Sequence, residues 1–184
     1  MKLKFDIQRF ANKVPEAITD WRVYTNGKDD WVGATSLEVG GLSTKTVDIS
    51  GIGLIGEISA PIEGHFESIE LTVNWRIPTK KSLELVGGAA TSLEAYADIQ
   101  NWDASKAEYV HQQFKVTAKG RCKNYEGGTI EAMNSTDAST TIEATYLKYE
   151  FDGTNILEID KYNSVFKVNG VDKMATVRKN IGMS

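Results

Sequence analysis

A chain of 184 residues with 41% hydrophobic and 25% charged side chains can bury the core of one domain, and this composition argues against wholesale disorder. Its 25 acidic and 21 basic residues leave a net charge of −4, the wrong sign for a protein that grips nucleic acid through clustered cations. The single cysteine, Cys122, excludes an intrachain disulfide and a cysteine-based zinc site, and it reads as a small buried apolar residue.

Residues 2–8 alternate, with Leu3, Phe5 and Ile7 on one side and Lys4, Asp6 and Gln8 on the other, which is a strand pattern. At an extreme terminus such a strand is placed to pair with another subunit. Asp6, Gln8 and Arg9 interrupt any apolar run, so the opening does not read as a signal peptide. No later run is long enough to span a bilayer. The expectation is a protein soluble and cytoplasmic when made, with no membrane anchor. Asn12–Ala17 breaks the pattern at Pro15, and Trp21–Tyr24 resumes it before an Asn26-Gly27 turn. Lys28–Val32 reads as a return strand weakened by Asp29-Asp30.

Thr44–Ile49 is a β-rich run that leads into a Gly-rich, apolar loop, Gly51–Pro61. Phe66–Ile77 is the clearest strand, with Ile69, Leu71, Val73, Trp75 and Ile77 on one face and Ser68, Glu70, Thr72, Asn74 and Arg76 on the other. Such alternation implies a sheet with one face on a core and one on water. Pro78 ends it, and Lys80–Val86 has room only for a short helix. Thr91–Asn101 fits either a capped helix or a strand, and the strand is preferred because DASK makes a turn into an unmistakable strand. From Gln112 the even positions (Phe114, Val116, Ala118, Gly120, Cys122) are apolar or small, and the odd ones carry Lys115, Lys119, Arg121 and Lys123. If the two strands form a hairpin, paired residue numbers must sum to an odd value or the apolar faces would split. That register puts Glu94 and Asp98 on the face of the lysine row. Gly127–Ser139 reads as a loop, and Tyr146–Phe151 and Ile156–Asp160 as strands joined by an Asp152-Gly153 hairpin turn. Val165–Val168 continues to an Asn169-Gly170 turn, and Val171, Met174, Ala175 and Ile181 trace a short amphipathic helix.

Motifs for chemistry are weak. Gly51-Ile52-Gly53-Leu54-Ile55-Gly56 matches GxGxxG after a strand, but a dinucleotide site needs a helix to begin there, and Pro61 follows too soon. The loop reads better as an arm whose Ile52, Leu54 and Ile55 need a partner surface, with packing on the chain's own core as the alternative. His65 and His111 lack a second ligand at metal spacing, and no nucleophile elbow is present. No catalytic residue, metal or cofactor is expected. The row Lys115, Lys119, Arg121 and Lys123 is either a solvated strand face or an electrostatic seam between subunits.

Three blocks carry a resemblance. Val14-Pro15-Glu16-Ala17-Ile18 is followed by Trp21-Arg22-Val23-Tyr24 and Gly27. Val47–Arg76 contains the Gly-rich loop, Gly56-Glu57, Gly64-His65-Phe66 and a closing Asn74-Trp75-Arg76. Glu158-Ile159-Asp160-Lys161, Val168-Asn169-Gly170-Val171-Asp172 and Arg178 complete the set. Together these resemble, in order, the major tail tube proteins of contractile-tailed bacteriophages and related phage-tail-like bacteriocins. Residues 1–12 look like an added leader, with an MKLKFDIQRF opening similar to other phage structural proteins, and Gly87–Ser139 aligns only by pattern.

The resemblance implies a mainly β, sandwich or barrel-like fold with one or two short helices, in which strands complete a barrel between subunits. Residues 1–13 would form an arm and 14–184 a single domain. It further implies hexameric rings stacked into a hollow tube within a sheath. Partners would be other copies, the sheath, the baseplate or tip and tape-measure proteins, with DNA in transit where a head is present. Lumen candidates are Glu70, Thr72, Asn74 and Arg76. Candidates for contacts between rings are the strand Leu3–Phe10 and the Gly51–Pro61 loop. The competing class is a monomeric β-sandwich that binds a ligand such as carbohydrate, with exposed aromatics in a groove and no polymerisation.

Overall fold

The computed structural model describes residues 13–25, 29–30, 33–51 and 53–183. Twelve strands and two short α-helices follow in chain order. They are β1 (Lys13–Thr25), β2 (Asp29–Asp30), β3 (Ala34–Val39), β4 (Thr44–Ile49), β5 (Ile58–Phe66), β6 (Glu70–Trp75) and α1 (Lys80–Glu84). After a 3-10 turn (Leu85–Gly87) come β7 (Thr91–Asp103), β8 (Glu108–Glu126), β9 (Ala138–Phe151), β10 (Thr154–Asp160), β11 (Val165–Val168), β12 (Val171–Asp172) and α2 (Ala175–Asn180). Strands β12-β11-β10-β9-β8-β7-β1-β2 form one antiparallel path, and β3 and β6 branch from it through β9.

The branch makes the sandwich. Glu143 and the β9 residues before it pair with β6, whereas Tyr146–Phe151 pair on the same edge with β10. Thr145 is the extra residue where Lys119↔Tyr146 gives way to Gly120↔Ala144, and a bulge of this kind bends and twists a strand. A Cβ at position 120 would lie 2.1 Å from the Glu143 carbonyl oxygen, so glycine is required where the two backbones close. Strands β8 and β9 thus run through both layers, a wide one (β1, β7–β11) and a narrow one (β3, β6 and the adjoining ends of β9 and β8).

The core lies between the layers. Leu71, Val73 and Trp75 of β6 meet Val23, Leu93, Ala95, Val116, Ala118, Leu147 and Ile159 of the wide layer, all buried. The Trp75 indole donates to Thr140 Oγ1 at 3.0 Å, with both side chains buried, so the polar handle of the largest core residue is satisfied.

Several expectations hold. Leu93 pairs with Ala118 and every β7–β8 pair sums to an odd number, so the apolar faces coincide. Asp152-Gly153 and Asn169-Gly170 carry positive φ at both residues, the signature of the tight turns that match strand twist. The short helix expected within Lys80–Val86 is α1, and the structure adds its cap, a reciprocal pair of bonds between Thr79 and Ser82.

Others are corrected. Lys13–Ala17 does not break the strand: β1 starts at Lys13, and bulges at Glu16 and Thr19 let Pro15 sit on an edge that no other described strand pairs with, while Asn12 lies outside the described residues. Phe66–Ile77 is two strands, β5 ending at Phe66 and β6 starting at Glu70, and Ile77 is exposed. Ile58–Pro61 belongs to β5 instead of the loop; of the return strand read over Lys28–Val32, Asp29–Asp30 is seen as β2 and the other three residues lie outside the described residues. Strand β9 extends back to Ala138, into the segment read as loop. The C-terminal stripe buries only Met174; Val171 lies in β12, and Ile181 is exposed beyond α2.

Candidate assembly surfaces

The outer side of the narrow layer is polar by alternation. On β6, Glu70, Thr72 and Asn74 point away from the buried Leu71, Val73 and Trp75. The Asn74 amide donates to Ser36 Oγ at 2.9 Å and to Glu38 Oε1 at 2.8 Å, and the Thr72 and Thr141 hydroxyls meet at 3.1 Å. At the end of this face Lys123 Nζ lies 2.5 Å from Glu70 and 3.7 Å from Glu143, while Lys161 Nζ lies 3.2 Å from Glu143 and Ser68 donates to it. Hydrogen bonding from Lys123, then from Ser68, holds the Glu70 carboxyl below its ordinary value. At Glu143 burial opposes ionisation, but Ser68 and Lys161 outweigh it and the net shift is also down. The Lys123 ammonium is raised, chiefly by Glu70.

The structure therefore brings Glu70, Thr72 and Asn74 onto one face and adds Ser36, Glu38, Ser139, Thr141 and Glu143 from neighbouring strands. Arg76 follows the strand and is exposed, and its carbonyl accepts from the Thr136 N–H at 2.9 Å. The added residues were discoverable in principle, since Ser139, Thr141 and Glu143 alternate with Ala138, Thr140, Ile142 and Ala144. Reading Gly127–Ser139 as loop and starting the next strand at Tyr146 left them out.

The cationic row divides between the layers. Lys115 lies 3.2 Å from Glu94 and 4.8 Å over the Tyr96 ring, and Lys119 sits 5.2 Å over Tyr146. Arg121 stands opposite Glu143 on the narrow layer, beside Lys123. On the wide layer, opposite charges are neighbours within and between strands: Glu94 faces Lys115, Lys148 pairs with Glu150 of its own strand at 3.0 Å, and Glu158 pairs with Lys167 at 3.1 Å. Glu94 and Asp98 do lie on the lysine face, although Asp98 is held by Thr19 and by His111 Nδ1 at 2.6 Å instead of by a lysine.

Among the described residues, strands β4 and β5 pair only with each other and form a separate two-stranded sheet. Their register, Val47↔Ala60 and Ile49↔Ile58, puts Val47, Ile49, Ile58, Ala60 and Ile62 on one side and Thr46, Asp48, Ser59 and Pro61 on the other. That aliphatic side is uncovered, with Val47 48%, Ile49 45% and Ile58 51% exposed, and at the tip Ile55 is fully exposed and Leu54 partly so. A two-stranded ribbon is marginal in water by itself, and covering each such side chain is worth about 1.5–3 kcal/mol. The Gly-rich loop is followed by a strand, so the helix that phosphate binding requires is absent there. Ile52, Leu3, Phe5, Ile7 and the rest of the leader strand lie outside the described residues.

The sandwich is also unclosed on one side. Beyond its short pairing with β2 at Tyr24 and Thr25, β1 has no strand on its outer edge, and β3 pairs with β6 alone among the described residues. Between these edges opens a cleft of about 350 Å³, lined mainly by Ile18, Trp21, Leu37, Val39, Ala95 and Phe114.

The model of the phage tail tube protein FII family matches residues 15–182. The tail tube protein of Escherichia phage P2 is 28% identical over 178 residues, covering 92% of this chain and 99% of that one. A solved structure titled as the sheath/tube terminator of the extracellular contractile injection system PVC, in the extended state, superposes at a TM-score of 0.50 over 74% of this chain and 96% of its own, with 12% identity. At that identity the superposition speaks for the fold alone. The family match runs from β1 to the end of α2, and this chain belongs to the phage tail tube protein FII family, the β-rich structural tube proteins of contractile tails.

Proposed function

We propose that this chain assembles into hexameric rings that stack as the hollow inner tube of a contractile tail, inside the sheath. The observation that carries this reading is a sheet whose edges at β1 and β3 have no further strand among the described residues, in a chain of the tail tube family. Free edges invite pairing with other chains, and closure into a ring removes them. The polar face of Glu70, Thr72 and Asn74, continued by Arg76, is our lumen lining, because a water-filled channel needs a polar wall with few unpaired charges. The leader strand and the β4–β5 hairpin join one ring to the next. In the cationic row, Lys119 and Arg121 are the side chains we assign to contacts between subunits, since Lys115 and Lys123 already hold carboxylates of their own chain. Baseplate and tape-measure proteins would meet the tube ends and lumen, and DNA would pass through it in a particle with a head.

Negative-stain electron microscopy of the purified protein, with sedimentation alongside, tests this. Hollow rods or six-fold rings are expected. A species that stays monomeric at high concentration and binds a carbohydrate would overturn it in favour of a ligand-binding module.

A further inference from the structure

We infer that the cleft between β1 and β3 is the receptor for the β4–β5 hairpin of a second copy of this chain. The inference rests on the tube reading and specifies one of its contacts. The two surfaces match in chemistry: Ile18, Trp21, Leu37, Val39, Ala95 and Phe114 dominate a cleft whose polar members are Thr35, Ser36 and Tyr96 and which has no carboxylate or basic side chain, and the hairpin face of Val47, Ile49, Ile58, Ala60 and Ile62 is wholly aliphatic. Both are open to water, and an apolar surface of this kind on a soluble protein marks an interaction site. Among the described residues none of the cleft lining comes from the hairpin, so the described hairpin does not occupy the cleft of its own chain.

The occupant follows from the count. Each copy carries one ribbon with an uncovered aliphatic face and one cleft that could cover it. The donor patch and the receptor patch differ, so the contact is heterologous, and each copy that gives a hairpin still offers an empty cleft. Such a contact propagates from copy to copy until a ring closes or a stack grows, as a tube requires. An unrelated protein would satisfy one half and leave the other exposed. The free edges of β1 and β3 beside the cleft add backbone groups that an incoming strand can pair with.

Site-directed cross-linking of full-length chains tests the pairing. Two proteins are made in a Cys122→Ser background, one with Leu37→Cys and one with Ile58→Cys, then mixed and oxidised with oxidised glutathione. Disulfide-linked dimers are expected in the mixture at several times the yield of either protein alone. A control with Thr46→Cys, on the polar side of the hairpin, should give no excess. Rods with no Leu37–Ile58 cross-link would overturn the cleft pairing and leave the tube reading standing. A cross-link without rods or rings would uphold the pairing and count against the tube. Monomers that neither cross-link nor associate would overturn both, since the pairing is between bare copies. The quenching of Trp21 emission on association is a second readout: a Trp21→Phe chain should associate without that change, and an unchanged signal in Trp21-containing chains would overturn the pairing.

Discussion

The narrow layer and the β4–β5 hairpin are built from the same kind of alternating strand, yet they treat their two faces differently. On β6 the apolar side is buried and the polar side is tied to Ser36, Glu38, Thr141 and Lys123. On the hairpin the polar side faces water, and the aliphatic side is exposed at Val47, Ile49 and Ile58. A face completed within the chain stabilises the fold; a face left for another molecule stabilises an assembly. The difference teaches that alternation alone does not say whose core a strand belongs to.

Substitutions should separate these roles. The largest effect is expected from Ile49→Asp with Ile58→Asp, which should abolish rods in micrographs while the urea midpoint moves by no more than about 0.5 kcal/mol equivalent. Trp75→Ala should do the reverse to the monomer, costing about 3–5 kcal/mol in urea unfolding through the cavity it leaves. If the hairpin variant unfolds as readily as the Trp75 variant, the ribbon is part of the core and the contrast fails. Thr140→Val leaves the buried indole N–H without its acceptor and should cost about 1–3 kcal/mol. Deleting residues 1–12 should shorten rods without changing the urea midpoint, and tubes of normal length would remove the leader from the contact between rings.

Acid gives the smallest effect and sharpens the contrast from the polar side. Glu70, held by Lys123, and Glu143, held by Ser68 and Lys161 against the opposing effect of burial, both ionise below the ordinary glutamate value of 4.5. With the folded value depressed, the unfolded chain binds more protons in between, so this stabilisation is complete above about pH 4.5 and is lost as the pH falls through the folded values. The urea midpoint should decline below that point, and less so in Lys123→Met. An identical decline in that variant would assign the acid sensitivity elsewhere.

Much of the wide layer was legible because its signals are local. Alternation in β7 and β8 fixed their register, and Asp-Gly and Asn-Gly marked the last hairpins. The hairpin was half legible: Thr44–Ile49 read as a strand, but Pro61 and Gly64 made its partner look like loop. Proline is tolerated there because β5 is an edge strand, a fact about neighbours that no single run of sequence states. Pro15 misled for the same reason. The polar face of β6 could be read from Phe66–Ile77, but its completion by β3 and β9 depends on the bend at Thr145 and Gly120, where long-range pairing overrides a small, polar composition. The cleft could not be foreseen, since it depends on β1 and β3 having no described strand between them, a fact of long-range pairing.

The fork in β9 has a mechanical consequence. Because β8 and β9 are hydrogen-bonded members of both layers, the layers cannot slide past each other without tearing a continuous backbone ladder. A load applied along the sheet is carried round the bend as tension in covalent chain and strand pairing, instead of as shear across a greasy interface. The shared ladder thus stiffens the body of the subunit, whereas the two-stranded β4–β5 ribbon has no such reinforcement among the described residues. A rod made of such pieces would transmit a thrust from end to end with its give located at the joints.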